Sequence, residues 1–211
     1  MHCGHLWPRC RPAPPGPRPS CKPQLQAASA ALAHIASSGA ELAAQVAEVQ
    51  GALATLVAAL AAGSESATPK VQATAAHSAE ALSHIACSGH ELVRRVAEVP
   101  GALATLLAAV QAGGATAAPN LQAAAAESTE VLFHITSAGP ALAEQLANAP
   151  GALATLVAAV AAGVDTAEPS LHDAAVNSAR LLAYNAWDNF QVAVRVAEVP
   201  GALATLVAAV A

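Results

Sequence analysis

Apolar residues recur along the chain at spacings that predict α-helices. Between residues 102 and 112, Leu103, Leu106, Leu107 and Val110 fall three or four positions apart, which places them on one face of a helix. No segment alternates apolar and polar residues over the length of a strand. The pattern therefore predicts an all-α protein without a β-sheet.

A long internal repeat organises most of the chain. The hexapeptide GALATL begins at Gly51, Gly101, Gly151 and Gly201, fifty residues apart each time. A fixed period of this order is typical of arrays in which each supersecondary unit buries its apolar face against its neighbours. We therefore expect a stack of similar units rather than one compact domain.

Proline and glycine divide each unit into three helices. The Pro100-Gly101 pair separates a short first helix from a second helix, Gly113-Gly114 ends the second as glycine does at C′, and Pro119 marks the first turn of a longer third helix. The predicted first helices are 40–48, 90–98, 140–148 and 189–198; the second are 51–62, 101–112, 151–162 and 201–210; the third are 24–37, 69–87, 119–137 and 169–186.

Proline is concentrated before the repeats. Residues 1–23 contain seven of the fourteen prolines and no acidic residue, which predicts a disordered basic tail. We expect the repeat domain to span residues 24–211. Its predicted parts are a partial unit at 24–39, repeats at 40–89, 90–139 and 140–188, and a partial unit at 189–211.

Charge is distributed unevenly between the tail and the repeats. The chain has a net charge of −5, yet Arg9, Arg11, Arg18 and Lys22 all lie in the first 22 residues. The repeats therefore carry the entire acidic excess, which argues against nucleic acid as a partner because phosphate binding needs a basic face. A basic protein or peptide is the better electrostatic match.

Cysteine usage and hydropathy bear on the compartment. The cysteines are Cys3, Cys10, Cys21 and Cys87, and they form no disulfide framework across the repeats, which favours a reducing compartment. No run of 18 apolar residues is free of charge and proline, so no membrane span is predicted. We expect a cytoplasmic or nuclear protein, with organelle import as the less favoured alternative.

Three stretches resemble the armadillo repeat family. They run from Glu91-Leu92 to Ala97, over the hexapeptide at Gly101, and through Leu82-Ser83-His84-Ile85-Ala86. The resemblance covers residues 24–211 and implies a right-handed α-solenoid of three-helix repeats. The period of fifty residues exceeds the usual ~40–47. The tryptophan and asparagine ladder of importin-type repeats is absent, so the resemblance is to a non-importin type.

The resemblance implies that the third helices line a concave groove that binds an extended peptide. The predicted groove residues follow an i, i+3, i+7 spacing that puts them on one helix face. They are His77, Glu80 and His84, then Glu127, Glu130 and His134, then Asn177, Arg180 and Tyr184. Their acids and imidazoles predict a basic or polar peptide ligand, and the alternative is a solvated face without a ligand.

Two groups of residues have the chemistry of zinc ligands but not the spacing. His77 and His84 are two helical turns apart, with Glu80 between them, whereas a typical helical site uses positions i and i+4. The tail offers His2, Cys3, His5, Cys10 and Cys21, whose spacing matches no standard zinc finger. We therefore predict no metal and no cofactor.

Two single residues remain, and both favour a structural interpretation. Cys87 is expected to be a small buried or edge residue, since no orienting base can be assigned to it from the sequence. Trp187 is expected to fill the core, and the alternative is a binding anchor.

No nucleophile, phosphate-binding loop or acid–base pair indicates an enzyme. The favoured function is a protein-binding scaffold or adaptor. One alternative is a surface-active or self-assembling Ala-rich helical protein, with end-to-end association through apolar ends. The other is a non-catalytic fragment of a larger armadillo-containing protein such as a ubiquitin ligase.

Overall fold

A computed structural model describes residues 22–164 and 166–210, and this part of the chain is helical with no strand. The twelve helices, in chain order, are α1 (Lys22–Ser37), α2 (Ala40–Glu48), α3 (Ala52–Ser64), α4 (Pro69–Cys87), α5 (His90–Glu98), α6 (Ala102–Ala112), α7 (Pro119–Ser137), α8 (Pro140–Asn148), α9 (Ala152–Gly163), α10 (Pro169–Asp188), α11 (Phe190–Glu198) and α12 (Ala202–Ala208). The all-α prediction is confirmed.

The predicted helices are present, and no predicted boundary differs from the structure by more than two residues. Pro69, Pro119 and Pro169 each begin a third helix, where the missing N–H has no partner to lose. The predicted tail lies outside the described residues, except that Lys22 and Pro23 belong to α1.

The turn between the first and second helices needs glycine for its backbone conformation. Gly101 has φ 80° and ψ 0°, and the Ala102 N–H donates to the Val99 carbonyl over 3.0 Å. This is the geometry of a type II turn, in which proline suits the second position and glycine the third. The repeated Pro-Gly pair thus fixes the sharp bend between these two helices.

Glycine at the end of the second helix has a different role from the predicted one. α6 ends at Ala112 as expected, but Gly113 has φ −87°, which any residue adopts. A Cβ on Gly113 would lie 2.7 Å from the Leu121 carbonyl oxygen and would overlap the side chain of Ala125. The C′ explanation is therefore wrong, because this glycine is required by the close approach of α7.

The third helices form the closest contacts between units. α4 packs between α1 and α7, and α7 packs between α4 and α10. Alanines such as Ala79 and Ala124 are fully buried and let the helices approach closely, while Leu82 and Leu132 fill the core. The second helices α3, α6, α9 and α12 pack in a second row, whereas the backbones of first helices in adjacent units make few contacts.

Arginine ties some neighbouring first helices together. Arg95 of α5 donates from Nη2 to the Ala47 carbonyl at the end of α2 over 2.6 Å. Arg195 of α11 makes the same bond to Ala147 over 2.6 Å and a second bond to the Asn148 side chain over 2.8 Å. These bonds satisfy helix-terminal carbonyls and place a cation at the negative end of a helix dipole.

Among the described residues, no single helix combines the length and the apolarity of a membrane span. Three helix pairs meet that test jointly on length and composition, but each pair is bent by 86° to 95° at its break.

Candidate functional site

The predicted groove residues all lie on three adjacent helices, α4, α7 and α10, which pack side by side. Seven of the nine are half-buried, while Arg180 and Tyr184 on α10 are exposed. Two clusters with different chemistry form on this face. One lies between α4 and α7, and the other lies between α7 and α10.

The cluster between α4 and α7 is acidic. The Ser83 hydroxyl of α4 lies near the Glu127 and Glu130 carboxylates of α7. Burial raises the pKa of Glu127 above its ordinary value, the nearby Ser83 hydroxyl opposes this rise, and the carboxylates of Glu130 and Glu80 add to it. Carboxylates held this close repel one another, so a cationic side chain would bind here favourably.

Glu130 is also part of a second group with Cys87 and His134. The Cys87 Sγ lies 3.1 Å from His134 Nε2 and 3.5 Å from Glu130 Oε1, and the latter two atoms are 3.8 Å apart. The contact with Cys87, and then the nearby Glu130 carboxylate, raise the pKa of His134 to about 9. The nearby His134 imidazole lowers the pKa of Glu130 despite its partial burial.

Of the two positions expected for Cys87, buried or edge, the structure shows the edge. Cys87 is exposed at the last residue of α4. The structure also places a base beside it that the sequence did not assign, because His134 faces the thiol from the neighbouring helix. The sequence could not show this contact, since the two residues lie 47 positions apart.

The helical zinc alternative is not supported by the geometry. The His77 Nδ1 lies 3.3 Å from Glu80 Oε2, but His84 does not join them. Within the described part of the chain, only Cys87, Glu130 and His134 bring three metal-ligating atoms together. The candidate ligands of the tail, His2, Cys3, His5, Cys10 and Cys21, lie outside the described residues.

The cluster between α7 and α10 is aromatic and cationic. The Arg180 guanidinium carbon lies 4.3 Å from the ring centroid of Phe133, and the Tyr184 ring meets the same ring edge-on at 6.3 Å. Arg180 also donates to the Asn177 side chain over 3.3 Å. Cation–π contact and hydrogen bonding hold Arg180 over this surface.

Phe133 was not among the predicted residues, yet it organises this second cluster. A comparison of the copies shows the signal, because the equivalent positions are Ala33, Ser83 and Ala183. A single bulky aromatic residue in a register of small ones marks a local departure from the repeat.

A polar cleft of about 200 Å³ extends from the acidic cluster to Asn177 of α10. It lies between α7 and α10, and its lining includes Glu127, Glu130, Asp173 and Asn177. Three of these four side chains are acidic, so the cleft continues the acidic character of the α4–α7 cluster toward α10.

The core-filling interpretation of Trp187 is wrong. Trp187 lies in the last turn of α10 and is 90% exposed. The neighbouring Phe190, at the start of α11, is 76% exposed. Because the indole is exposed, it contributes little apolar burial to the folded chain. Of the two interpretations, only the anchor is consistent with this position.

No protein-family model matches the chain, and comparison with curated proteins and with solved structures found no match either. The armadillo resemblance therefore rests on the residues quoted above, and the function has to be argued from the surface of the third helices.

Proposed function

We propose that the chain is a protein-binding scaffold whose third helices form a groove for an extended peptide. In this proposal the repeats form a right-handed α-solenoid of the armadillo type. The observation that carries it is the unbroken row of α1, α4, α7 and α10, with an acidic cluster beside an aromatic one.

The packing supports placing the third helices on the concave side. Neighbouring third helices pack extensively against one another, whereas neighbouring first helices have little backbone contact and meet chiefly through Arg95 and Arg195. In a curved stack the elements that lie closest from unit to unit are on the inner side of the curve. A peptide lying across the third helices would therefore meet the two clusters in succession.

The ligand that fits is a basic peptide with an aromatic residue nearby. Lys or Arg would pair with Glu80, Glu127 and Glu130, and an aromatic side chain would stack beside Phe133 and Arg180. Adjacent helices lie about 8–10 Å apart and an extended chain rises about 3.3 Å per residue. The basic and aromatic residues should therefore be about three positions apart.

The test is selection of a random peptide display library on the full chain. We expect enrichment of peptides with that spacing and binding that weakens as salt rises, because half-exposed charges are screened. The double variant Glu80→Gln/Glu127→Gln should lose at least about tenfold in affinity, the loss expected when contacts worth about 1.4 kcal/mol are removed.

The matched control is Glu91→Gln/Glu98→Gln, which removes the same charge from exposed positions of the first helix α5. This control should bind the selected peptides as the unchanged protein does. Equal losses in both double variants would show that only net charge matters, and the groove proposal would be wrong.

A further inference from the structure

We propose that Cys87 of α4, together with Glu130 and His134 of α7, forms a zinc site that joins two adjacent repeats. The proposal rests on the positions of three ligand atoms, and it shares Glu130 and His134 with the proposed peptide groove. It assigns a metal to a chain whose sequence spacing predicts none.

The three side chains carry the ligand atoms that zinc uses in proteins. Zinc binds cysteine sulfur, histidine nitrogen and carboxylate oxygen, usually in tetrahedral geometry. Glu130 and His134 are at positions i and i+4, so they project from the same face of α7. Cys87 reaches them from the last turn of the neighbouring helix.

The distances between the ligand atoms fit a zinc ion without rearrangement. Three atoms separated by 3.1, 3.5 and 3.8 Å lie on a circle whose radius is about 2.0 Å. An ion slightly above the centre of that circle would be about 2.0–2.3 Å from each atom, which is the range of zinc bonds to oxygen, nitrogen and sulfur.

The surroundings suit a cation with one open coordination position. The Ser83 hydroxyl lies near the Glu130 carboxylate and is placed to support that ligand. Both Cys87 and His134 lie in the last turns of their helices, where the helix dipole favours positive charge. Cys87 is exposed, so the fourth position of the metal would face solvent and would take water or a donor from a bound molecule.

The arrangement differs from that of a cysteine nucleophile with a histidine base. In such triads the nucleophile and the carboxylate contact opposite nitrogens of the imidazole ring. Here the Cys87 sulfur and the Glu130 oxygen both approach Nε2 of His134. All three atoms therefore converge on one point, which suits a shared ion and not a proton relay.

Of the three junctions between third helices that the structure describes, only the one between α4 and α7 contains all three residues. At the junction of α1 and α4 the equivalent residues are Ser37, Glu80 and His84, and at that of α7 and α10 they are Ser137, Arg180 and Tyr184. The first junction lacks the thiol and the last lacks every ligand of this kind. The site is thus a feature of one interface and not of the repeat as such.

Cobalt(II) and zinc(II) titrations test the proposal on the full chain. Cys3, Cys10 and Cys21 are first replaced by serine, because the tail offers other ligands for these metals. We expect this protein to bind one equivalent of cobalt with a sulfur-to-cobalt charge-transfer band, to release cobalt when zinc is added, and to melt at a higher temperature with zinc.

Three variants of that protein identify the ligands. Cys87→Ser should abolish the charge-transfer band, and His134→Ala and Glu130→Gln should each weaken zinc binding by at least about tenfold. His77→Ala is the matched control on the same surface and should bind zinc as tightly as the background protein does. Circular dichroism checks that each variant retains its helix content. Glu130→Gln preserves side-chain size, so its zinc affinity still tests the site if another variant unfolds.

The proposal is overturned if the background protein shows no charge-transfer band with cobalt. It is also overturned if the Cys87→Ser or Glu130→Gln protein binds zinc as tightly as the background protein does.

Discussion

Close packing determines the residue at the end of each second helix. Gly63, Gly113 and Gly163 all lie against the backbone of the following third helix, and each faces an alanine on it. A single methyl group at any of these positions would push the two helices apart. This constraint repeats in every described unit that has both helices.

The first prediction uses the two neighbouring glycines of one turn. Gly113→Ala should destabilise the fold by about 1–3 kcal/mol, because an added carbon overlaps Ala125 and the Leu121 carbonyl. Gly114→Ala is the matched control, since a Cβ there meets nothing within 4 Å. Urea unfolding of both variants measures the difference, and equal midpoints would contradict the packing explanation.

Trp187 gives a second prediction at the residue scale. Trp187→Ala should change the free energy of unfolding by less than about 0.5 kcal/mol, because its side chain is almost fully exposed. The same change should weaken binding of selected peptides about tenfold or more if the indole is an anchor.

Phe190→Ala removes an exposed aromatic side chain from a first helix and is the comparison. Peptide affinity that is unchanged in Trp187→Ala, or reduced equally in both variants, would argue against a specific anchor.

Comparing the repeat copies predicts more about Trp187 than one copy does alone. Trp187 occupies the register of Ser37, Cys87 and Ser137, and the first two of these are exposed in the structure. Aligning the copies therefore predicts an exposed tryptophan, whereas its size and apolarity alone favour the core. The size and apolarity of the side chain were misleading, because the position within the repeat determines whether the residue is buried.

At the scale of the helices, the positions of proline and glycine were sufficient to predict where each helix begins and ends. The bounds of α4 and α7 agree with the predicted third helices because proline begins each of them and a glycine, Gly89 or Gly139, follows two residues after each ends. Contacts between helices of different units could not be predicted in this way. The Arg95 bond to Ala47 depends on how one unit sits on the next, which no spacing within a unit specifies.

The arginine bonds lead to a third prediction. The position of Arg95 and Arg195 is Gln145 in α8 and Gln45 in α2. Gln145→Arg should stabilise the protein by about 0.5–1 kcal/mol, because the new guanidinium can reach the carbonyls at the end of α5; charged hydrogen bonds contribute up to about 3 kcal/mol before exposure reduces them.

Gln45→Arg is the matched control, since no first helix precedes α2 among the described residues. Thermal unfolding compares the two variants. A stabilisation of the same size in both would show that the gain comes from helix propensity or net charge and not from the inter-repeat bond.

On the scale of the whole molecule, lateral register decides which chemistry meets at each junction. Cys87 contacts residues 43 and 47 positions further along, so neighbouring third helices are offset from the fifty-residue period by several residues. The sequence predicts the faces of these helices but not this offset. That is why residues on α4, α7 and α10 could be named from the sequence, while the contact of Cys87 with Glu130 and His134 could not.

A shared register yields a fourth prediction. If α1 sits on α4 as α4 sits on α7, Ser37→Cys should complete a second site with Glu80 and His84. In the background without Cys3, Cys10 and Cys21, cobalt stoichiometry should rise from about one to about two equivalents, by the ligand rules for zinc-type sites. Binding that stays at one equivalent would show that the two junctions differ in register.

Site-resolved cross-linking tests whether a peptide binds along the row of third helices. A selected basic peptide carrying a photoreactive residue is bound to the full chain, irradiated, and mapped by mass spectrometry. We predict cross-links within α4, α7 and α10, concentrated near Glu127, Phe133 and Arg180. Cross-links confined to the first helices, such as α5 and α8, would show that the peptide does not bind along the third helices.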